Sequence, residues 1–315
     1  MTTEFTEFIT QDPTVQSLLG TARQIAPYNS TVQITGESGS GKDVLAGYIH
    51  RHSQRRSKPL IKIDLSAIPQ NLLESELFGH VKGAFSSAHQ NRVGRLEAAN
   101  GSTVYLDHVN ELNPAVQARL TRVLQEQEFE PVGSNTTVAV DIRFIASSRQ
   151  DLGNLVRTGK FREDLYFRLS VMPIHLPPLR KRPADIPLLA KFFLDKYAAL
   201  HQKKCPKLES GVLDLLCSYH WPGNIRELQN QMERLIILSD GKQNISTKNI
   251  QLDFDIVSDS SLEILAEQNL SLEQIEKLYI HRILEKTRNN KSKAAQILGI
   301  NRKTLLEKRK KYRLN

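Results

Sequence analysis

The chain has 315 residues, a formal net charge of +9, 39% hydrophobic and 24% charged residues, and two cysteines. That length accommodates about two domains with at least one sizeable core, and the composition is ordinary for a globular protein. No apolar run is long enough to span a bilayer, and the acidic stretch Met1 to Ile9 has no signal-peptide pattern, so no membrane partner and a cytoplasmic location are expected. Cys205 and Cys217 fit no metal-site spacing and read as reduced thiols.

In chain order, residues 1–12 read as an N-terminal tail, followed by a helix near Pro13 to Ile25. Val32-Gln33-Ile34 is a short strand running into a glycine loop, and Val44 to His52 continues as a helix. Leu60 to Leu65 is a second strand, Gln70 to Phe78 a helix, and His80 to Arg92 an exposed loop. Thr103 to Asp107 is a third strand. Asn113 and Pro114 open an amphipathic helix to Gln127, and Val138 to Ser147 supplies more strand. Strands alternating with helices predict an α/β core over 13–172, a parallel sheet covered on both faces. After Val171, Pro173, Pro177, Pro178, Pro183 and Pro187 cut the chain into short pieces. Helices over Ile186 to His201, Ser210 to Ser218 and Asn224 to Leu238 predict an all-helical subdomain at 173–240. Residues 241–268 are polar and acidic and read as a linker, and 269–315 form a basic helical unit.

The glycine loop is Gly36-Glu37-Ser38-Gly39-Ser40-Gly41-Lys42, a P-loop. Its glycines let consecutive N–H groups face phosphates, the following helix presents its positive end, and Lys42 adds a point charge. The Ser or Thr that usually follows the lysine is Asp43 here. Thr103 to Asp107 ends in a carboxylate as a Walker B strand does, which makes Asp107 the candidate Mg²⁺ ligand of bound ATP. The next residue, where a water-activating carboxylate is expected, is His108. A neutral imidazole can orient water, but it has a different reach and no negative charge, so loss of efficient hydrolysis is the expectation.

The charge is concentrated at one end. Residues 286–315 hold eleven lysines and arginines against Glu307, a net +10, so residues 1–285 carry −1. Ser292 to Leu298 reads as a short helix, Gly299-Ile300 as a turn, and Asn301 as the cap of a helix from Arg302 to Tyr312: a helix-turn-helix. Leu272, Ile275, Leu278, Ile283 and Leu284 give a preceding helix an apolar face. Ala294, Ala295, Ile297, Leu298, Leu305 and Leu306 are expected to pack the helices together. The second helix is expected in the major groove of double-stranded DNA, with Lys291, Lys293, Arg302, Lys303, Thr304, Lys308 and Arg309 as contacts and Lys310 and Lys311 beside them.

These motifs, with Asn71 to Ala88, Phe161 to Arg168 and Trp221 to Leu228, resemble the AAA+ bacterial enhancer-binding proteins that remodel RNA polymerase carrying sigma-54. The likeness runs from about Gln11 to the C-terminus. It implies a P-loop AAA+ core with a helical lid and a Fis-type helix-turn-helix. It also implies a homo-oligomer, from dimer to hexameric ring, with ATP at subunit interfaces, and a pseudo-palindromic upstream DNA site. In that family an acidic residue at Asp43 is usual. Arg162 and Arg168 match arginines that reach a neighbour's γ-phosphate, and Arg226 matches the lid's sensor arginine. No receiver or ligand-sensing domain is expected ahead of the core, so control is expected from a partner, an effector or abundance.

The departures form a set. The family's Walker B pair is Asp-Glu, against Asp107-His108. The Asn that holds this Glu, left with nothing to hold once the Glu is gone, is replaced by Asp64. The sensor Thr-Asn is replaced by Ser148-Arg149. The sigma-contact loop GAFTGA reads Gly83-Ala84-Phe85-Ser86-Ser87-Ala88, and Ser87 restricts the backbone if that position needs positive φ. The expectation is a DNA-binding regulator that binds ATP, oligomerises with its support, hydrolyses it poorly and has reduced sigma-54 remodelling, working with the main sigma factor or as a repressor. The alternative is an active ATP-hydrolysing sigma-54 activator, with His108 or Glu111 covering for the lost Glu. A DNA-loading or protein-remodelling machine is the third reading.

Overall fold

A computed structural model describes residues 7–86, 88–209, 211–239, 244–250, 252, 271–287 and 290–312. Ser87, most of the expected linker, Arg288 and Arg313 lie outside the described residues. Two compact units, Met1–Gln251 and Leu252–Asn315, divide the chain.

The first unit is built on five parallel strands: β1 (Val32–Thr35), β2 (Leu60–Asp64), β5 (Thr103–Asp107), β8 (Arg143–Ser148) and β9 (Met172–His175), in the order β2-β5-β8-β1-β9. Parallel strands need crossovers, supplied here by α2 (Lys42–Arg51), α3 (Leu73–Phe78), α4 (Arg95–Ala98), α5 (Pro114–Glu126), α6 (Leu152–Arg157) and α7 (Glu163–Leu169), while α1 (Pro13–Ile25) precedes β1. Asp12 caps α1 through Val15 N–H and Asn113 caps α5 through Val116 N–H, each followed by proline at the first helical position. Strand alternation then splits the core in two. Val104, Leu106, Phe144 and Ala146 join one apolar cluster, while Tyr105, Ile145, Val32 and Ile34 join the cluster beneath α2. This is why β5 and β8 are buried along their whole length.

Two differences from the sequence reading have clear causes. Pro173, read as a breaker, lies inside β9; that strand is at the sheet edge, where a missing N–H costs little. The sheet therefore crosses the expected boundary at 172. The segment His80 to Arg92, read as exposed loop, is the excursion of a hairpin between β3 (Gly79–His80) and β4 (Arg92–Val93). A second hairpin pairs β6 (Glu128–Phe129) with β7 (Val138–Ala139), so the strand stretch read over Val138 to Ser147 is divided between this hairpin and β8.

The lid comprises α8 (Asp185–Leu200), α9 (Val212–Ser218) and α10 (Asn224–Leu238). Trp221, fully buried, fixes their packing and donates its indole N–H to Leu216 O at 2.8 Å. The second unit is α11 (Leu272–Lys286), α12 (Lys291–Ile297) and α13 (Arg302–Tyr312) around Ile280, Ile283, Leu284, Ala294, Ala295, Leu305 and Tyr312. Ile297 and Leu306, expected inside, are 45% and 38% exposed. Three short helices have only one shared interior, and these two positions fall outside it. Among the described residues no helix is long and apolar enough to cross a membrane.

Candidate nucleotide cleft and nucleic-acid interface

The register of the sheet brings the candidate residues to one edge. Asp64 is opposite Asp107, and Thr35, which leads into the P-loop, is opposite Ser148. Ligands of open parallel sheets bind at this carboxyl edge. A cleft of about 460 Å³ opens there, lined by Ser38, Gly39, Gly41, Lys42, Asp43, Asp107 and His108 from the core and by Arg226 from the lid.

Gly39 (φ 73°) and Gly41 (φ 102°) take left-handed backbone, and a Cβ on Gly39 would meet Gly223 O at 2.4 Å. Buried Lys42 donates to Gly36 O and Glu37 O, both at 2.9 Å. Burial pulls its ammonium below its ordinary pKa, opposed by the carboxylates of Asp107 and Asp43. The lid is stitched to this loop. Arg180 forms a two-pronged pair with Glu37 at 2.8 and 2.6 Å. Asn224, fully buried, donates to Glu37 Oε2 (3.1 Å) and Ser38 O (3.0 Å) and accepts from Leu179 N–H (2.8 Å). Ile225 N–H donates to Gly39 O at 2.9 Å, Arg226 to Ser38 Oγ at 3.0 Å and Arg182 to Ser40 O at 2.5 Å. Burial raises the Glu37 carboxyl, but the bonds from Arg180 and Asn224 outweigh it and leave the pKa lowered.

At the end of β5, Asp107 accepts from Tyr105 OH at 3.2 Å and from Ser147 Oγ. His108 has left-handed backbone (φ 63°) and turns its Nδ1 to Asp64 Oδ1 at 3.1 Å. The two changed positions, Asp64 and His108, thus face each other as an imidazole–carboxylate pair. Asp64 also accepts from Ser66 Oγ at 2.7 Å; against the opposing effect of burial, the bonds from Ser66 and His108 lower its carboxyl pKa. Ser148 bonds Asn110 Oδ1 at 3.2 Å and Gln150 O at 2.6 Å. Arg149 pairs with Glu111 at 3.3 Å and lies outside the cleft lining.

In the second unit, Asn301 caps α13 through Thr304 N–H at 2.8 Å and Thr304 Oγ1 at 3.0 Å, and Asn290 caps α12 through Lys293 N–H. Lys293, Arg302 and Lys303 are exposed, and Lys291 is half-buried. Lys308, expected to face DNA, instead pairs with Glu276 of α11 at 2.5 Å, and Lys311 pairs with Glu273 at 2.7 Å. A surface cation one turn further along α13 meets the acidic face of α11, and the sequence gives no distance for that. Arg309 is half-buried, and its Nε has no hydrogen-bond partner among the described residues.

Residues 8–175 match the Sigma-54 interaction domain, 180–267 the AAA+ ATPase lid domain, and 271–312 the bacterial regulatory protein, Fis family. The chain belongs to the sigma-54-dependent family of AAA+ transcription regulators. It is 44% identical over 299 residues to the transcriptional regulatory protein ZraR of Escherichia coli (strain K12), covering 95% of this chain and 67% of the relative. It is 49% identical over 228 residues to the Nif-specific regulatory protein of Azotobacter vinelandii, covering 72% of this chain and 44% of that one. A crystal structure of NtrX from Brucella abortus in complex with ADP superposes with a TM-score of 0.71 at 34% identity, covering 97% of this chain and 69% of that chain. The same protein in complex with ATP gives 0.71 at 33% identity, with coverages of 98% and 69%. This chain is thus a transcription regulator with a nucleotide-binding AAA+ fold and a DNA-binding helix-turn-helix.

In the segment 83–88, expected from the resemblance to contact sigma, Gly83 takes φ 84°, Ala88 N–H bonds Phe85 O at 2.9 Å, and Ala88 is buried. Phe85, half-buried, packs on the His80 ring at a centroid distance of 4.9 Å, with Ser86 exposed beside it. Arg162 is held by Asp164 at 3.1 and 2.7 Å, and Arg168 is exposed on α7.

The sequence reading missed Arg180, Arg182, Asn224 and Lys62. Asn224 lies within Trp221 to Leu228, but an Asn at a helix start reads as a cap. Only the fold shows it reaching the P-loop.

Proposed function

We propose that this regulator binds ATP in the cleft, assembles with nucleotide support from dimers to a hexameric ring, and is impaired in hydrolysis and sigma-54 remodelling. Gly36 to Lys42 hold the phosphates, and Arg226 senses them from the lid. Arg162 and Arg168 reach a neighbour's site once Asp164 releases Arg162. The observation that carries this reading is the His108–Asp64 pair at 3.1 Å, which ties a side chain without negative charge into the position of the water-activating carboxylate. The Fis-type unit supports binding to a pseudo-palindromic upstream site, with Lys293, Arg302, Lys303 and Thr304 foremost.

The expected Mg²⁺ at Asp107 fits these residues poorly. One Asp107 oxygen is engaged by Tyr105 and Ser147, and Oδ2 faces the Lys62 ammonium at 3.6 Å.

A second reading is favoured by the same pair. An ionised Asp64 accepts from a protonated Nδ1, and in the neutral ring that tautomer leaves Nε2 as an acceptor able to take a proton from water, the logic of a carboxylate–imidazole couple. On that reading the protein is an active ATPase and sigma-54 activator. Glu111 is a weaker substitute, since Arg149 and Asn110 already engage it. Steady-state ATP turnover against a Lys42→Ala control, with binding followed by a fluorescent ATP analogue, separates the two. Binding without turnover supports the first reading; turnover well above the control overturns it in favour of the second.

A further inference from the structure

The second strand places a lysine where the carboxylates of the cleft converge. Side chains alternate along β2, so Ile61 and Ile63 join one core cluster while Leu60 packs on the other face, beneath α2. Lys62 shares that second face. It is opposite Tyr105 in register, and its ammonium stands 5.7 Å from the Tyr105 ring centroid. From there Nζ reaches Asp107 Oδ2 at 3.6 Å and Asp43 Oδ2 at 3.9 Å. Lys62, Asp43 and Asp107 all line the cleft together with Lys42. The Asp107 oxygen not engaged by Tyr105 and Ser147 therefore faces a tethered positive charge. That charge lies within 4 Å of both the Asp107 and the Asp43 carboxylates.

We propose that Lys62 is the resident cation of this site, so that nucleoside triphosphate binds without needing Mg²⁺. The proposal rests on the nucleotide-binding reading above. An ammonium under 4 Å from both carboxylates offsets their repulsion of incoming phosphates, as a divalent ion otherwise does. A divalent ion entering the same place must first displace Lys62 against like-charge repulsion. Lysine suits the task because it is a compact point charge on a flexible stem that can follow the phosphates.

The test is titration of the full chain with a fluorescent ATP analogue, in Mg²⁺ and in EDTA, for the unaltered protein, Lys62→Gln and Lys42→Ala. Manganese binding to the nucleotide-free protein is followed in parallel by electron paramagnetic resonance. The unaltered protein is expected to change affinity by less than about threefold between the two buffers. Lys62→Gln is expected to lose roughly tenfold in EDTA, to recover in Mg²⁺, and to bind manganese more tightly. An unaltered protein that loses tenfold or more in EDTA overturns the proposal, as does a Lys62→Gln variant that titrates like it in both buffers. In either case nucleotide binding itself stands. Absence of binding in both buffers, matching Lys42→Ala, overturns the nucleotide reading and this proposal with it.

Discussion

Nδ1 of His108 lies 3.1 Å from Oδ1 of Asp64, across two strand ends that the sheet sets side by side. Both positions read as departures from the family pattern in sequence, and in the fold the two side chains face each other. If the pair is what limits hydrolysis, restoring the carboxylate and its amide partner together restores turnover. His108→Glu with Asp64→Asn is expected to raise steady-state ATP turnover by at least about tenfold, within the range of a positioned general base. His108→Glu alone sets two carboxylates against each other and gains less. Turnover in the double variant no higher than in the unaltered protein refutes this account.

Glu37 joins core to lid through Arg180 and Asn224, and its pKa is lowered from the ordinary 4.5. A carboxyl lowered on folding stabilises the folded state above its unfolded pKa, and that stabilisation fades as the pH falls through the lowered value. Glu37→Gln is therefore expected to cost about 1 kcal/mol or less at pH 7, since the pair is partly solvated. The difference from the unaltered protein shrinks toward zero below about pH 4. Urea unfolding at the two pH values measures it, and a difference that grows in acid contradicts the assignment.

Asn224 is fully buried, makes three polar contacts and has φ 54°. Asn224→Ala strands Leu179 N–H and places an alanine in left-handed backbone, so a loss of about 2–3 kcal/mol is expected. Asn224→Gly removes the backbone strain but not the lost bonds, and is expected to be slightly milder. Hydrogen exchange on α10 gives the local readout. Unchanged protection in both variants counts against Asn224 as the joint.

Lys308 and Arg302 are both basic residues of α13, yet their surroundings differ. Arg302 is exposed at the helix start, whereas Lys308 is spent on Glu276 at 2.5 Å. Arg302→Ala is expected to weaken DNA binding and to lower the salt slope by about one. Lys308→Ala is expected to leave the slope unchanged and to lower the melting temperature of the unit. Fluorescence anisotropy across a salt series distinguishes them, and equal slope losses would remove the distinction.

The parallel sheet, the P-loop, the lid helices and the helix-turn-helix were legible because each rests on local signals. These are buried apolar runs, glycines at a strand–helix junction, proline and asparagine caps, and a +10 tail. What escaped depends on long-range register. Lys62 looks like an ordinary solvent-facing strand residue until β2 is laid against β5 in that alignment. Asp64 looks idle until the end of β5 turns through left-handed backbone and brings His108 to it. Pro173 misleads because a sequence does not say which strand will be at an edge. The pairing of Lys308 with Glu276 spans 32 residues, so the charge count assigned to DNA a cation that folding uses internally.

The stretch at 10–12, read as the end of a tail, is tied to the lid: Thr10 Oγ1 and the N–H groups of Gln11 and Asp12 bond the carboxylate of Asp185 at 2.7 to 3.1 Å. Asp185 is fully buried and faces Arg182 at 3.8 Å, whose guanidinium in turn bonds Ser40 O. Trimming the gene to start at the first helix would therefore pull a keystone. The truncated protein would keep a buried anion without its donors, directly behind the phosphate loop. For anyone engineering this chain, residues 10–12 belong to the machine and not to its packaging.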